Sequence, residues 1–131
     1  MLARVNPPGL FDPTPFGYAQ AVAAPAGARL ALVSGQGGAD ATGALPSGFE
    51  DQLAGAFANL RAALTGLGAS PGDVLKLTLF VVDHDMPKLG AITSAVVATF
   101  GAALPAQSLV PVPRLVLVGM LVEVEAVVAL P

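Results

Sequence analysis

Charged residues are scarce in this chain of 131 residues, at 11% of the composition against about 25% in an ordinary soluble domain. Hydrophobic residues make up 54%. So few charges are poorly suited to covering a monomer, whereas the interfaces of obligate homo-oligomers resemble the core of a domain. We therefore expect part of the surface to be buried against other copies of the chain, with an aggregation-prone monomer as the alternative. The length fits one domain, spanning residues 1–131.

Cysteine is absent, and histidine occurs once, as His84. The absence of cysteine excludes a disulfide framework, a thiolate zinc cluster and a thiol nucleophile, and it is compatible with a reducing cytoplasm, the localisation we expect. A metal site at His84 would need further ligands, and none cluster around it in sequence beyond the flanking Asp83 and Asp85. We expect a solvent-exposed turn histidine and no metal site.

A basic surface and a membrane segment are also missing. The net charge is −3, and the six cations are scattered along the chain, so the electrostatic footprint of a nucleic-acid-binding protein is absent. The first residues lack the apolar region of a signal peptide. Pro111, Pro113, Arg114 and Glu123 interrupt the best candidate for a membrane span. We expect a cytoplasmic protein that binds neither nucleic acid nor membrane.

The first half of the chain predicts two strands and a helix. Residues 6–17 carry four prolines and predict a turn-rich arm. Residues 18–24 and 29–34 read as strands on either side of a Pro25-Ala26-Gly27 turn, which predicts a hairpin. Ser47 and Glu50 have the spacing of a capping box. The helix that follows has an apolar stripe facing away from most of its polar residues, Gln52 among them, and ends near Gly68.

The second half predicts a strand, a helix and two more strands. Residues 74–82 form the clearest strand, with Leu75, Leu77, Leu79 and Val81 on one face. Asp85 caps a second helix that Gly101 ends. Strands follow near residues 107–112 and 117–128. In the last of these, alternation places Glu123 and Glu125 on the same face of an otherwise aliphatic strand, so that strand either meets solvent or lines a site.

Nucleophile and phosphate motifs do not stand out. Ser34, Ser94 and Ser108 have no nucleophile elbow around them. The glycine-rich segment 34–38 lacks the Gly-Lys-Ser/Thr ending of a phosphate loop, and it reads equally well as a flexible strand exit or as a close approach to a ligand. The residues alone indicate a small α/β oligomer with a glutamate pair and a Pro-Ala-Gln-Ser turn.

The order and spacing of these residues resemble the RidA (YjgF-type) family over nearly the whole chain. The resemblance rests on Tyr18, Ser34-Gly35-Gln36, Phe49 with Gln52, Asn59-Leu60, Gly68, Asp73-Val74, Lys76, Phe80-Val81 with Asp83, Phe100, Pro105-Ala106-x-Ser108 and Val122-Glu123-Val124-Glu125-Ala126. It implies a single-domain α+β fold of the RidA/chorismate-mutase-like type, with two helices packed on one face of a mixed sheet. It also implies a homotrimer with a central barrel-like core and ligand clefts between chains.

Active members of that family hydrolyse reactive imines and enamines, such as 2-iminopropanoate and 2-iminobutanoate, to a 2-oxo acid and ammonia without a cofactor. Carried onto this sequence, the resemblance makes Glu123 the residue that holds the attacking water and Tyr18 an aromatic wall. It also assigns ligand contacts to Ser34, Gly35, Thr93 and the carbonyl of Leu109. The family's carboxylate-binding arginine is replaced by Gln107, which offers a neutral amide instead of a charged fork.

Two hypotheses follow from Gln107. In the first, the chain is a hydrolase of imines with an altered substrate preference, and Arg114 is a candidate replacement cation. In the second, the cleft binds a small metabolite without turnover, or the trimer is a scaffold that has lost deaminase activity. Ribonuclease activity, which has been attributed to relatives, ranks last because the acidic balance of the chain opposes it.

Overall fold

A four-stranded sheet carries the fold in the computed structural model, which describes all residues from Met1 to Pro131. Its strands are β3 (Leu30–Gln36), β4 (Val74–Val82), β5 (Ala106–Val112) and β6 (Val122–Ala129), in the order β3-β6-β4-β5. Strands β4 and β5 pair in parallel, and the other neighbours pair antiparallel. The predicted mixed sheet is confirmed.

Two helices, α1 (Phe49–Gly66) and α2 (Met86–Phe100), pack on one face of this sheet. The apolar stripes of the helices and the inward-facing residues of the strands form one core cluster of 18 buried residues. The opposite face, called here the open face, has no layer of secondary structure over it. None of the helices combines the length and the apolar character needed to cross a bilayer.

The predicted helix ends are confirmed at three of four positions. The carboxylate of Asp85 accepts a hydrogen bond of 2.9 Å from the backbone N–H of Lys88 at the start of α2, and this bond is the main cause that lowers the pKa of Asp85. Gly68 and Gly101 have positive φ at the helix ends. The capping box was wrong, because α1 begins at Phe49 with Gly48 as its cap, so Ser47 lies one residue too early.

The predicted hairpin was also wrong. A short strand β2 (Ala21–Ala23) pairs with β1 (Ala3–Val5) at the N-terminus, and β3 pairs with β6 from the other end of the chain. The pairing with β6 places Val33 in the core beside the valines of β6, and this burial outweighs a local turn. The side chain of Arg4 in β1 donates to the carbonyls of Gly72, Ala103 and Leu104, which holds the N-terminal strand against the domain.

Two strand details differ from the prediction. A register shift against β6 lies between Val74 and Lys76, so Val74 is fully buried while Leu75 is only partly buried. The last strand begins at Val122 instead of residue 117. Residues 113–121 form a loop instead, and Gly119 within it has a φ of 81° that a strand does not adopt.

Candidate functional site

Glu123 and Glu125 both point to the open face, as predicted from strand alternation. Val122, Val124, Ala126 and Val128 of β6 are buried on the helix side, while Glu123 is half-buried and Glu125 is exposed. The one ion pair in the chain joins Lys88 to Asp85. Neither glutamate is therefore neutralised by a cation of its own chain.

The backbone of Gly35 lies against the carboxyl group of Glu123, which only a residue without a side chain allows. A register shift in the pairing of β3 with β6 falls between Val33 and Gln36, and a Cβ added at Gly35 would overlap the carboxyl group of Glu123. The exposed residue Ser34 is the other residue of this bulge, and its carbonyl accepts a hydrogen bond of 2.9 Å from Gln36 Nε2. The structure thus brings together three residues predicted for the site, Ser34, Gly35 and Glu123, here called the carboxylate cluster.

Two amides of α1 hold the loops on either side of the carboxylate cluster. Gln52, 0% exposed, donates from Nε2 to the carbonyls of Pro46 and Gly119 at 2.8 Å each, and its Oε1 accepts from the N–H of Leu121 at 2.8 Å. Asn59 Nδ2 donates to the carbonyls of Gly37 and Ala39, also at 2.8 Å. These bonds anchor the entry to β6 and the exit from β3.

The expectation that Gln52 lies away from the apolar stripe was therefore wrong. Its side chain is buried because it satisfies polar backbone groups of two loops that no secondary structure pairs, and such groups must find partners inside a protein. Helical spacing alone gave no signal for this role, since a glutamine near a helix start is normally solvated.

Gln107, Tyr18 and Thr93 form a second group, here called the amide cluster. The N–H of Ala19 donates to the carbonyl of Pro105 at 2.8 Å, and Ala19 forms a parallel bridge with Ala106. This bridge places Tyr18 and Gln107 on neighbouring segments. Thr93 of α2 approaches the same N-terminal segment, with Oγ1 donating to the carbonyl of Phe16 at 3.5 Å.

The amide of Gln107 is turned toward the helix side of the sheet. Gln107 is in register with Leu77, which is fully buried in the core. Its Oε1 is buried and has no hydrogen-bond partner. Leu109, two residues further along the same face, packs against the core cluster. Gln107 therefore keeps an unused acceptor inside the domain.

The carboxylate and amide clusters lie on opposite faces of the sheet. Glu123 on the open face is in register with Phe80, and Phe80 with Val110, so two strand spacings, about 10 Å, separate β6 from β5. Ser34 lies on β3, the opposite edge strand. One chain does not bring Gln107 and Glu123 to the same small ligand.

Arg114 does not reach Gln107 within one chain. The strand from Gln107 to Val112 spans about 16 Å, and Arg114 lies beyond its end. Its side chain is exposed, and Nε donates to the carbonyl of Leu115 at 3.3 Å. A role for Arg114 as the replacement cation is thus limited to a contact with another chain.

His84 lies in the turn between β4 and α2 and is partly buried, with Nδ1 shielded from solvent and unpartnered. The expectation of a solvent-exposed histidine was therefore wrong for one of its ring nitrogens. Nowhere in the chain do three or more histidine or acidic side chains lie in an arrangement that could hold a metal ion. Asp83 next to it adopts a φ of 51°, which closes the turn.

Comparisons with known proteins cover most of the chain. The family described as "Endoribonuclease L-PSP" matches residues 13–130. TdcF of Escherichia coli K12, whose name proposes a reactive intermediate deaminase, is 31% identical over 75 residues, which are 56% of this chain and 58% of TdcF. The sequence match thus spans little more than half the length of that relative.

Solved structures resemble the chain over a greater length. YyfB of Yersinia pestis, a Rid family protein of unknown function, superposes with a TM-score of 0.93 at 33% identity, covering 98% of both chains. E. coli TdcF with bound serine superposes with a TM-score of 0.68 at 28% identity, covering 93% of this chain and 91% of TdcF. The backbone is closer to YyfB than to TdcF.

Proposed function

Because the chain belongs to the endoribonuclease L-PSP family, the family of YjgF and RidA, we propose that it binds a reactive imine or enamine in a cleft between subunits of a homotrimer and hydrolyses it. The observation that carries this proposal is the separation of the two clusters. The carboxylate and amide clusters lie on opposite faces of one chain, so a complete site needs the carboxylate cluster of one chain and the amide cluster of another.

The open face supports assembly of several chains. Leu30 and Leu32 of β3 are 60% and 77% exposed there, and Val110 of β5 is exposed on the same face. Large exposed apolar patches mark interaction sites. Only 11% of the residues are charged, as expected if this face is covered in the assembly.

Sedimentation tests the assembly directly. We expect the protein at micromolar concentration to sediment at three times its chain mass of 13.0 kDa, because burial of the open face removes apolar surface from water. Leu32→Asp should dissociate it, since a carboxylate buried in an apolar interface is unfavourable by several kcal/mol. A stable wild-type monomer would contradict the proposal.

The proposed chemistry is hydrolysis with Glu123 as general base. Water held by the Glu123 carboxylate adds to the imine carbon, and the proton that it loses passes through Glu123 to the imine nitrogen. The hydroxyl proton of the resulting carbinolamine then passes, again through Glu123, to the amine nitrogen while the C–N bond breaks and the C=O bond forms, which releases a 2-oxo acid and ammonia. Ser34 and Gly35 position Glu123 and the ligand, while the partner chain supplies the Tyr18 wall, the Thr93 contact and the Leu109 carbonyl toward the nitrogen. Holding these groups in place supplies most of the advantage over solution.

Gln107 alters the preference for the substrate. A hydrogen bond to a charged group contributes about 1.5–3 kcal/mol against about 0.5–1.5 for a neutral pair. Loss of the guanidinium fork therefore lowers the affinity for a substrate carboxylate on the order of tenfold. We propose that small 2-imino acids, which depend on that contact, are poor substrates.

Gln107→Arg tests this preference. We expect the wild type to hydrolyse freshly generated 2-iminobutanoate slowly and the variant to be faster on the order of tenfold, because arginine restores a charged bidentate contact. Gln107→Lys is the matched control, since it restores the charge without the fork and should recover less. Wild-type turnover equal to that of an arginine-bearing relative would contradict the assigned role of Gln107.

A non-catalytic binding protein is the second candidate. It is favoured by the neutral residue at position 107 and by the solved structure of E. coli TdcF, which carries bound serine, an amino acid and not an imine. The two candidates predict different results for a Glu123 variant. An enzyme loses turnover when Glu123 is replaced, whereas a binding protein shows no turnover that depends on Glu123.

RNA cleavage, which the family description names, is less well supported. The side chains of Arg4, Lys76, Lys88 and Arg114 donate hydrogen bonds to their own chain, to backbone carbonyls or to Ser108. The net charge is −3. Phosphate binding by RNA-binding proteins depends on free, clustered cations, so the cleft is better suited to a small molecule.

A further inference from the structure

An apolar groove lies beside the amide cluster, between the N-terminal arm and α2. It has a volume of about 310 Å³ and is lined by Pro15, Phe16, Met86, Leu89, Gly90 and Thr93. None of these side chains is charged. Phe16 and Met86 are 48% and 73% exposed, and the ring of Phe11 lies 5.3 Å from that of Phe16. Aromatic and methionine side chains of this kind form adaptable walls for apolar groups.

The groove is continuous with the amide cluster. Thr93 belongs to both, and Gly17 packs against Thr93, since a Cβ on Gly17 would lie 3.5 Å from Thr93 Cγ2. From Gly17 the chain runs directly through Tyr18 to Ala19, which is hydrogen-bonded to Pro105 next to the Gln107 motif. A ligand that contacts Tyr18 and Thr93 therefore has the groove open beside it.

The size of the groove and its lack of charge indicate what it holds. Its volume is at the lower end of ordinary ligand pockets, which begin near 300 Å³ and are mostly apolar. A methyl or ethyl group would leave most of it filled with water. A branched aliphatic or aromatic group would occupy more of it, with each additional buried methylene strengthening binding by a factor of about four.

We infer that the groove is a specificity site for the substrate side chain, and that the substrates are imines of 2-oxo acids with a branched or aromatic side chain. The inference rests on the proposed function and extends it. It also explains how a chain with Gln107 binds its substrate, because apolar contacts in the groove offset the weaker hold on the carboxylate. Phe16, Met86 and Leu89 become specificity-determining residues.

Substrate comparison tests the inference. Imines are generated in the assay from alanine, leucine and phenylalanine by an amino-acid oxidase, and their hydrolysis is followed with the wild-type protein. We expect kcat/KM for the leucine and phenylalanine imines to exceed that for the alanine imine at least about tenfold. Phe16→Ala should reduce this preference several-fold, mainly through KM, because it removes one wall.

A groove-filling variant provides the sharper test. A Cβ added at Gly90 meets no atom within 4 Å, so Gly90→Phe should fold and place its ring in the groove. We expect kcat/KM for the leucine and phenylalanine imines to fall more than kcat/KM for the alanine imine, so that the preference for large imines is lost. Gly66→Phe is the matched control, since Gly66 also lies in a helix with open space around it but outside the groove.

The outcomes separate the two proposals. Equal kcat/KM for the three imines, or no effect of Gly90→Phe on large ones, would overturn the groove assignment and leave imine hydrolysis standing. If no imine is hydrolysed, the proposed reaction fails. Calorimetry then compares binding of 4-methyl-2-oxopentanoate and pyruvate, and equal affinities would overturn the groove assignment as well. A change in sedimentation of Gly90→Phe or Phe16→Ala would make the groove a subunit interface and overturn its assignment to substrate.

Discussion

Glu123→Gln is expected to reduce imine hydrolysis about a hundredfold or more. A general base in the site contributes on the order of 10²–10⁴ to the rate, and an amide cannot take up the proton of the attacking water. The replacement is isosteric, and Glu123 has no cation partner in its own chain, so the fold and assembly should not change. The measurement is kcat on fresh imine, with the loss falling on kcat more than on KM.

Glu125→Gln is the matched control for this experiment. Glu125 lies two residues away on the same face of β6 but is exposed, and Gly35 packs on the carboxyl group of Glu123, not on that of Glu125. We expect the control to keep its activity. Both changes are best made also in the Gln107→Arg background, where turnover is higher. Equal rates for the Glu123 and Glu125 variants would exclude Glu123 as the base and favour the non-catalytic candidate.

Gly38→Ala is expected to destabilise the fold by about 3 kcal/mol or more, at the upper end of what overpacking does. Gly38 is buried against the backbone of α1, and a Cβ there would lie 2.6 Å from Gln52 Cα and closer to its carbonyl oxygen. Gly38 is also close to a second residue of α1, since a Cβ on Gly55 would lie 2.8 Å from the carbonyl oxygen of Gly38. Backbone atoms on both sides leave no flexible group to yield.

Thermal unfolding measures this effect, with an expected fall in Tm of about 10 °C. Gly90→Ala serves as the control because no atom lies within 4 Å of its added Cβ. Alanine at this position inside α2 should instead stabilise by about 0.5–1 kcal/mol. The Gln52 bonds to Pro46, Gly119 and Leu121 depend on this close packing, so loss of activity should accompany the loss of stability. An unchanged Tm for Gly38→Ala would contradict the described packing of the glycine-rich segment on α1.

Local sequence signals predicted the elements whose causes are local. The strand at Val74–Val82 and the helix capped by Asp85 were confirmed, because alternation, capping and glycine stops act within a few residues. The failed predictions involve distant partners. The hairpin and the capping box were both plausible locally, but β3 pairs with β6 from the other end of the chain, and α1 begins at Phe49 with Gly48 as its cap.

The candidate site was only partly predictable for the same reason. Motif resemblance identified Glu123 and Gln107, and alternation placed both glutamates on one face. The amides of Gln52 and Asn59 were missed as supports of the loops because their role depends on carbonyls of residues that are far away in sequence. The groove at Phe16 and Met86 also escaped prediction, since its walls come from separate segments.

By itself the sequence determined the family, the helices, the central strand and the neutral residue at position 107, because each of these depends only on residue identity or on short-range spacing. Tertiary structure alone decided which strands pair and which amide is buried. It also decided that Glu123 and Gln107 face opposite sides of the sheet. Strand pairing joins residues through long-range burial, which local periodicity does not encode, and that pairing is what makes a site of two chains the expected arrangement.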